Sequence, residues 1–261
     1  MTASTVRRLD AAGYRWDVVL HLVGREFRLR YRRAFFGWAW AVGQPLVRLL
    51  VLSLVFTKFL PLGIENYPQF LFAGLIAWMW FASAVASATT SAIDRRSLLF
   101  RPSLPRSSLP VVSVLTDGLD FLAALPVLAV FLIIGGGIPV TALFLPVIIA
   151  VQLLLILGIG YALCSANVYF RDVRLLLDIA LLLGFYLTPV FYDASSIPDR
   201  YLWVIRLNPI ARIIASYRDV LVEGKMPAAG PFLVLAVACA ACFLGGYWIF
   251  RRTSPTFVDE L

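Results

Sequence analysis

Tyr14 to Pro45 reads YRWDVVLHLVGREFRLRYRRAFFGWAWAVGQP. Its first half is a basic amphipathic helix and its second half opens an apolar run. Apolar residues fall at Trp16, Leu20, Val23, Phe27, Tyr31 and Ala34, the three-and-four spacing of one helical face. Arg15, Arg25, Arg28, Arg32 and Arg33 lie mostly off that stripe. Such a helix suits the plane of a membrane surface, with guanidinium groups at the headgroups and rings at the acyl boundary. Because it is so basic, the stretch also decides on which side of a membrane the chain begins.

The wider composition agrees. Of 261 residues, 61% are hydrophobic, and the mean hydropathy is +0.86. A soluble domain is about 45–50% apolar, so the excess reads as a polytopic all-α membrane protein. The net charge is +8. The arginines sit beside apolar runs instead of forming a basic soluble face, which excludes nucleic acid as the partner. No cleavable apolar stretch precedes the amphipathic helix, so insertion is expected to use internal spans. Cys164, Cys239 and Cys242 all lie in apolar runs. Cys239-Ala-Ala-Cys242 matches a CxxC spacing, but its surroundings are those of a packed helix, with the cysteines as small packing residues.

A membrane-crossing helix needs about 20 mostly apolar residues. Six segments meet this: 37–59, 70–93, 109–134, 140–168, a short one at 175–191, and 232–250. Prolines within them (Pro45, Pro126, Pro146, Pro189) are tolerated in bilayers and mark kinks. Residues 1–36 carry eight arginines. Arg95, Arg96, Arg101 and Arg106 follow the second span, Arg171 and Arg174 the fourth, and Arg251 and Arg252 the sixth. The short loops after spans one and three carry none. This bias places both termini in the cytoplasm of a plasma-membrane protein. The division is then a cytoplasmic start (1–36), a six-span unit (37–250) and a cytoplasmic tail (251–261).

Two connecting segments stand out. Asp94–Ser108 reads DRRSLLFRPSLPRSS. Asp94 can cap a short helix through Phe100, before Pro102 and Pro105 break it. A solvated connector is one reading. A docking element for a cytoplasmic partner is the other, because a free loop gains nothing by exposing Leu98, Leu99 and Phe100 together. Residues 196–223 lie outside, between spans five and six. Pro198-Asp199 starts one short helix, and Asn208-Pro209 ends it and starts a second. In the second, Ile210, Ile213, Ile214, Tyr217, Val220 and Leu221 form an apolar face, with Arg212, Arg218 and Asp219 elsewhere. Two short re-entrant helices dipping into the outer leaflet fit this pattern, with their charges on the wet side. Within the spans, Asp117 and Asp120 are three apart and share a face; Arg48 of span one is the expected counter-ion.

Catalytic and energising motifs are missing. The one Gly-Lys pair, Gly224-Lys225, is followed by Met226 and makes no phosphate-binding loop. His21 is the sole histidine, there is no HExxH, and no metal site or catalytic residue is expected. Uphill transport would need energy from another chain.

Asn167-Val-Tyr-Phe-Arg-Asp-Val-Arg174, Leu29-Arg-Tyr-Arg-Arg, Gly37-Trp-Ala-Trp, Gln44-Pro-Leu, Asn208-Pro209 and Tyr217-Arg-Asp together resemble the membrane subunit of ABC-2-type polysaccharide exporters. That family includes O-antigen, teichoic-acid and mycobacterial galactan exporters, and the resemblance covers about residues 14–252. It implies a homodimer of six-span subunits over two cytoplasmic ATPase subunits, which bind the ATP and Mg. A lipid-linked glycan enters from the cytoplasmic side and threads a channel between the spans. The loop after span two is then the coupling element, with Asp94, Arg95, Arg96, Leu98, Leu99, Phe100 and Arg101 meeting the ATPase. The N-terminal helix becomes a gate beside the entrance, and the external helices cap the exit.

On that resemblance, Arg25, Arg28, Arg32 and Arg33 are placed to meet the pyrophosphate of the lipid carrier, since guanidinium forks match phosphate oxygens. Anchoring to anionic lipid uses the same groups equally well. Phe35, Trp38, Trp40, Trp78, Phe185 and Tyr186 are candidate channel-lining rings for sugar stacking; interface belts and cores use such residues too. Competing readings are an ABC-2 exporter of a lipid, drug or other small hydrophobic molecule, and a membrane-embedded glycosyl- or acyltransferase.

Overall fold

The computed structural model describes residues 3–32, 36–99 and 105–260. Among these the regular structure is all helical. Helix α1 covers Ala3–Tyr31 and α2 Trp40–Leu54, the latter prolonged by a π-helical turn at Val55–Phe59. Then come α3 (Tyr67–Asp94), α4 (Arg96–Leu99), α5 (Ser108–Ile134), α6 (Leu145–Tyr169) and α7 (Val173–Leu187). The chain ends with α8 (Leu202–Leu207), α9 (Pro209–Leu221), α10 (Ala229–Thr253) and α11 (Phe257–Glu260).

Among the described residues, five helices are long and apolar enough to cross a membrane: α2 with its π turn, α3, α5, α6 with the 3-10 turn before it, and α10. They match five of the six expected spans within a few residues. The expected fifth span, 175–191, differs. Helix α7 is 15 residues long, which spans about 22 Å, short of a hydrocarbon core of about 30 Å. Pro189 stops it: the residue before a proline is pushed out of helical geometry, and Thr188 is accordingly extended at φ −93°, ψ 134°.

Helix α3 is the most buried of the five, while α2 and α10 are the most exposed. Small residues make this central position possible. Gly74, Ala77, Ala84, Ala88 and Ala92 are buried along α3, and small side chains let helix backbones approach. Gln152 of α6 reaches in and donates to the Ala77 carbonyl at 2.9 Å. The α6–α10 crossing is closer still. A Cβ on Gly246 would stand 1.9 Å from the Gly158 carbonyl oxygen, and one on Gly158 would stand 2.6 Å from the Cys242 carbonyl carbon. Cys239 is buried on α10, and all three thiols are free.

Helix α1 packs along the start of α5 through Val19 and Val23 against Val112. The expected single stripe therefore divides. Val23 turns to the protein, whereas Trp16 and Leu20 are exposed.

The segment expected to lie outside forms a 3-10 turn at Asp199–Tyr201, then α8, then α9. Asn208 caps α9, its Oδ1 accepting from the amides of Ile210 and Ala211; Pro209 at the first helical position needs no such partner. The expected apolar face is correct in every member, since Ile210, Ile213, Ile214, Tyr217, Val220 and Leu221 are all buried. They pack into the protein, against α3 and α6. Arg218 corrects the expectation that the basic groups of this segment stay wet: it is only 6% exposed. Its Nη1, Nη2 and Nε donate to the carbonyls of Pro189 at 2.7 Å, Val190 at 2.6 Å and Phe70 at 3.3 Å. Gly74 leaves the space, because a Cβ there would sit 2.8 Å from Arg218 Nη2.

Candidate functional site

A cavity of about 730 Å³ opens between α2, α3, α5 and the end of α1. On α2 its wall is Trp40, Ala41, Gln44, Pro45 and Arg48, one helical face at four-residue steps. On α5 it is Asp117, Asp120, Phe121 and Ala124, again a single face. Trp78 and Trp80 of α3 close the back. The Trp80 ring stacks on Phe121 with centroids 4.8 Å apart, and Phe121 meets Tyr217 of α9 edge-on at 6.1 Å. The cavity wall is thus continuous with the packing of α9.

The two carboxylates share a face, as their spacing requires, but their counter-ion is Arg30 and not Arg48. Arg30 Nη1 lies 2.8 Å from Asp117 Oδ1 and 2.6 Å from Asp120 Oδ2. Tyr31 donates to Asp120 Oδ1 at 2.8 Å, and Ser87 donates to Asp117 Oδ2. The reason is α1. It packs on α5 and carries Arg30 from the helix end to the cavity rim, a juxtaposition that intrahelical spacing does not encode. Burial alone would lower the Arg30 guanidinium; the two carboxylates outweigh it and hold it above its usual value. Arg48 lines the same cavity, and among the described residues it forms no ion pair.

Arg25, Arg28 and Arg32 are exposed. They line a separate groove of about 580 Å³ beside Phe27, Leu29 and Tyr31. Arg33 and Phe35 lie outside the described residues, as does the Trp38 side chain. Among the candidate rings, Trp40 and Tyr186 are exposed, whereas Trp78 is buried against Phe185 of α7 at 6.0 Å. Gly184 makes room for that indole, since a Cβ there would be 2.9 Å from Trp78 Cη2.

The connecting segment after α3 forms the short helix α4, and Asp94 does not cap it in the described geometry. Its Oδ2 accepts from Thr90 at 2.6 Å. Phe100 and Arg101 lie outside the described residues. The apolar residues expected to face a partner turn inward. Leu99 is buried with Leu109, Tyr161, Phe250 and Phe257, and Leu98 packs on the edge of that cluster. Arg95 is committed as well. Its Nε and Nη2 grip both oxygens of Glu26, and its Nη1 donates to Ser113 Oγ at 2.7 Å. Asp94 and Arg96 are left exposed.

The Asn167–Arg174 motif is structural. Asn167 Nδ2 donates to the Thr89 carbonyl at 3.3 Å, and Arg174 Nη1 to that of Ala86 at 2.9 Å, fastening the α6–α7 turn to α3. Tyr169 meets Thr256 near the C-terminus, and Arg106 donates to the Ser254 carbonyl.

Apolar helices long enough to cross a membrane, around a ring-lined cavity that also carries carboxylates and guanidinium groups, fit a membrane transport protein. The family description "ABC-2 type transporter" matches residues 18–222, and the chain belongs to that family. It is 32% identical over 247 residues to the O-antigen export system permease protein RfbA of Myxococcus xanthus, covering 94% of this chain and 95% of that one. To the Klebsiella pneumoniae protein of the same name it is 31% identical, covering 82% and 83%. The polysialic acid transport protein KpsM of Escherichia coli is 24% identical, covering 90% and 93%. The chain is therefore a multi-pass membrane protein of a transporter family, which leaves the transferase reading without support.

Proposed function

We propose that this chain is the membrane subunit of an ATP-driven exporter of a lipid-linked polysaccharide. The single observation that carries the reading is the cavity between α2, α3 and α5. It sets the exposed indole of Trp40 in one wall with the carboxylates of Asp117 and Asp120 and the guanidinium groups of Arg30 and Arg48, the combination that recognises a sugar through its C–H face and its hydroxyls together. The similarity to permeases named for O-antigen and polysialic acid supports it.

In this reading two copies assemble over two separate ATPase subunits, which hold ATP and Mg. Both termini face the cytoplasm, where the arginines concentrate. Helix α7 and the turn after it complete a sixth span against the partner copy, and α8 and α9 cap the outer end. The groove at Arg25, Arg28 and Arg32 faces the headgroup layer and receives the pyrophosphate of the carrier lipid. The polymer then passes Trp40 and the Arg30–Asp117–Asp120 group.

Complementation tests this. The chain, expressed with its ATPase in cells lacking an O-antigen export permease, is expected to restore surface glycan. Trp40→Ala should reduce the glycan while the protein level holds. Cells that export a lipid or drug but leave the glycan inside would favour the small-substrate reading.

A further inference from the structure

Glu26 and Arg30 are four residues apart on α1, so they stand one turn apart on one face. Each holds a different part of the protein. Glu26 takes both the Nε and Nη2 of Arg95, at the junction of α3 and α4. Arg30 takes Asp117 and Asp120, in the wall of the cavity. The charges run in opposite order, acid then base on α1 and base then acids opposite, which fixes the register of α1 against α3 and α5.

Tyr31 of α1 adds a hydrogen bond to Asp120, and beneath the helix lies an apolar seam of Val19, Leu22 and Val23 against Val111, Val112, Leu115 and Leu119. The ion pairs are partly exposed: the Arg95 and Glu26 side chains are 17% and 19% exposed and that of Arg30 is 37% exposed, although Asp117 is buried. Arg95 directly precedes Arg96 and Ser97, which are exposed at the start of α4.

We propose that α1 is a transmission arm. A displacement of the α3–α4 loop would be carried by Arg95 and Glu26 into α1, and by Arg30 to Asp117 and Asp120 at the cavity. Glu26 and Arg95 are positioning residues: they touch no substrate and act through Arg30. The inference rests on the export reading for the source of the displacement, the partner ATPase acting on the α3–α4 loop.

The test uses the full chain with its ATPase, as wild type, Glu26→Gln, Arg95→Gln and the exchanged pair Glu26→Arg with Arg95→Glu. Insertion, ATPase binding, ATP hydrolysis and glycan export are measured on each. Each single variant is expected to bind the ATPase and hydrolyse ATP while export falls about tenfold, the scale of a coupling free energy between sites. The exchanged pair should regain most of the export. Undiminished export in the single variants overturns the proposal, and so does an exchanged pair that assembles but exports no better than they do.

A second measurement needs no glycan. Genetically encoded spin labels replace the exposed Leu29 on α1 and Leu122 on α5. An ATP-dependent change in their separation that is lost in Glu26→Gln and regained in the exchanged pair supports the arm. No change in the wild type, or an equal change in Glu26→Gln, overturns it. An ATP-dependent change together with no glycan export by the wild type counts against the export reading alone.

Discussion

The two ends of the molecule hold their cations in opposite ways. At the end where α9 packs, Arg218 is wrapped by the carbonyls of Phe70, Pro189 and Val190, and its guanidinium lies over the Phe70 ring at 3.5 Å. At the end where α1 packs, Arg30 and Arg95 are held by carboxylates and remain partly exposed. A carbonyl cradle is built from fixed backbone of two elements, and breaking it strands three acceptors and a charge in a dry place. Carboxylate pairs on side chains exchange partners at far lower cost when water is near. The α9 end is thus a clasp, and the α1 end holds the joint that the proposed arm requires.

Breaking the clasp should have the largest effect. Arg218→Ala removes all three bonds, and a loss of about 3 kcal/mol or more is expected, read as a collapse of thermal stability and membrane yield after detergent extraction. Gly74→Ala probes the same clasp from the other side. Its new methyl would stand 2.8 Å from Arg218 Nη2 and 3.1 Å from the Val190 oxygen, so a loss of about 1–3 kcal/mol is expected, with the same stability readout. Asn208→Ala strips the cap of α9 and should cost about 1 kcal/mol, visible as faster backbone amide exchange in the first turn of that helix. At the joint the contrast should invert. Arg30→Gln is expected to leave stability nearly unchanged while export falls steeply. Arg48→Ala, which breaks no ion pair among the described residues, should change stability least of all. Equal stability losses at Arg218 and Arg30 would remove the distinction between the ends.

Much of this architecture was legible in the residues. Hydrophobic length located five crossing helices, period located the buried face of α9, and Asn208-Pro209 marked its start, because each depends only on neighbours along the chain. Asp117 and Asp120 fall on one face for the same reason. Their counter-ion does not follow, because helical period says which side a residue faces and not which helix lies opposite. Arg218 reads as a wet charge, because backbone carbonyls leave no sign in a sequence; the signal that exists is Gly74, whose missing side chain makes the space. Leu99 and Arg95 read as partner-facing residues of an exposed loop, whereas α4 folds back onto α6, α10 and α11. The shortness of α7 follows from Pro189, and counting apolar residues through that proline lengthened it.

The central claim is that ATP hydrolysis on a partner subunit drives a lipid-linked glycan past this cavity. The most direct measurement reconstitutes the chain with its ATPase in vesicles loaded on one side with a fluorescent lipid-linked glycan. The account predicts that polymer appears on the opposite side only with ATP and Mg, and that Asp117→Asn with Asp120→Asn abolishes it while ATP hydrolysis continues. Transfer of polymer without ATP, or undiminished transfer by the doubly substituted protein, would contradict it.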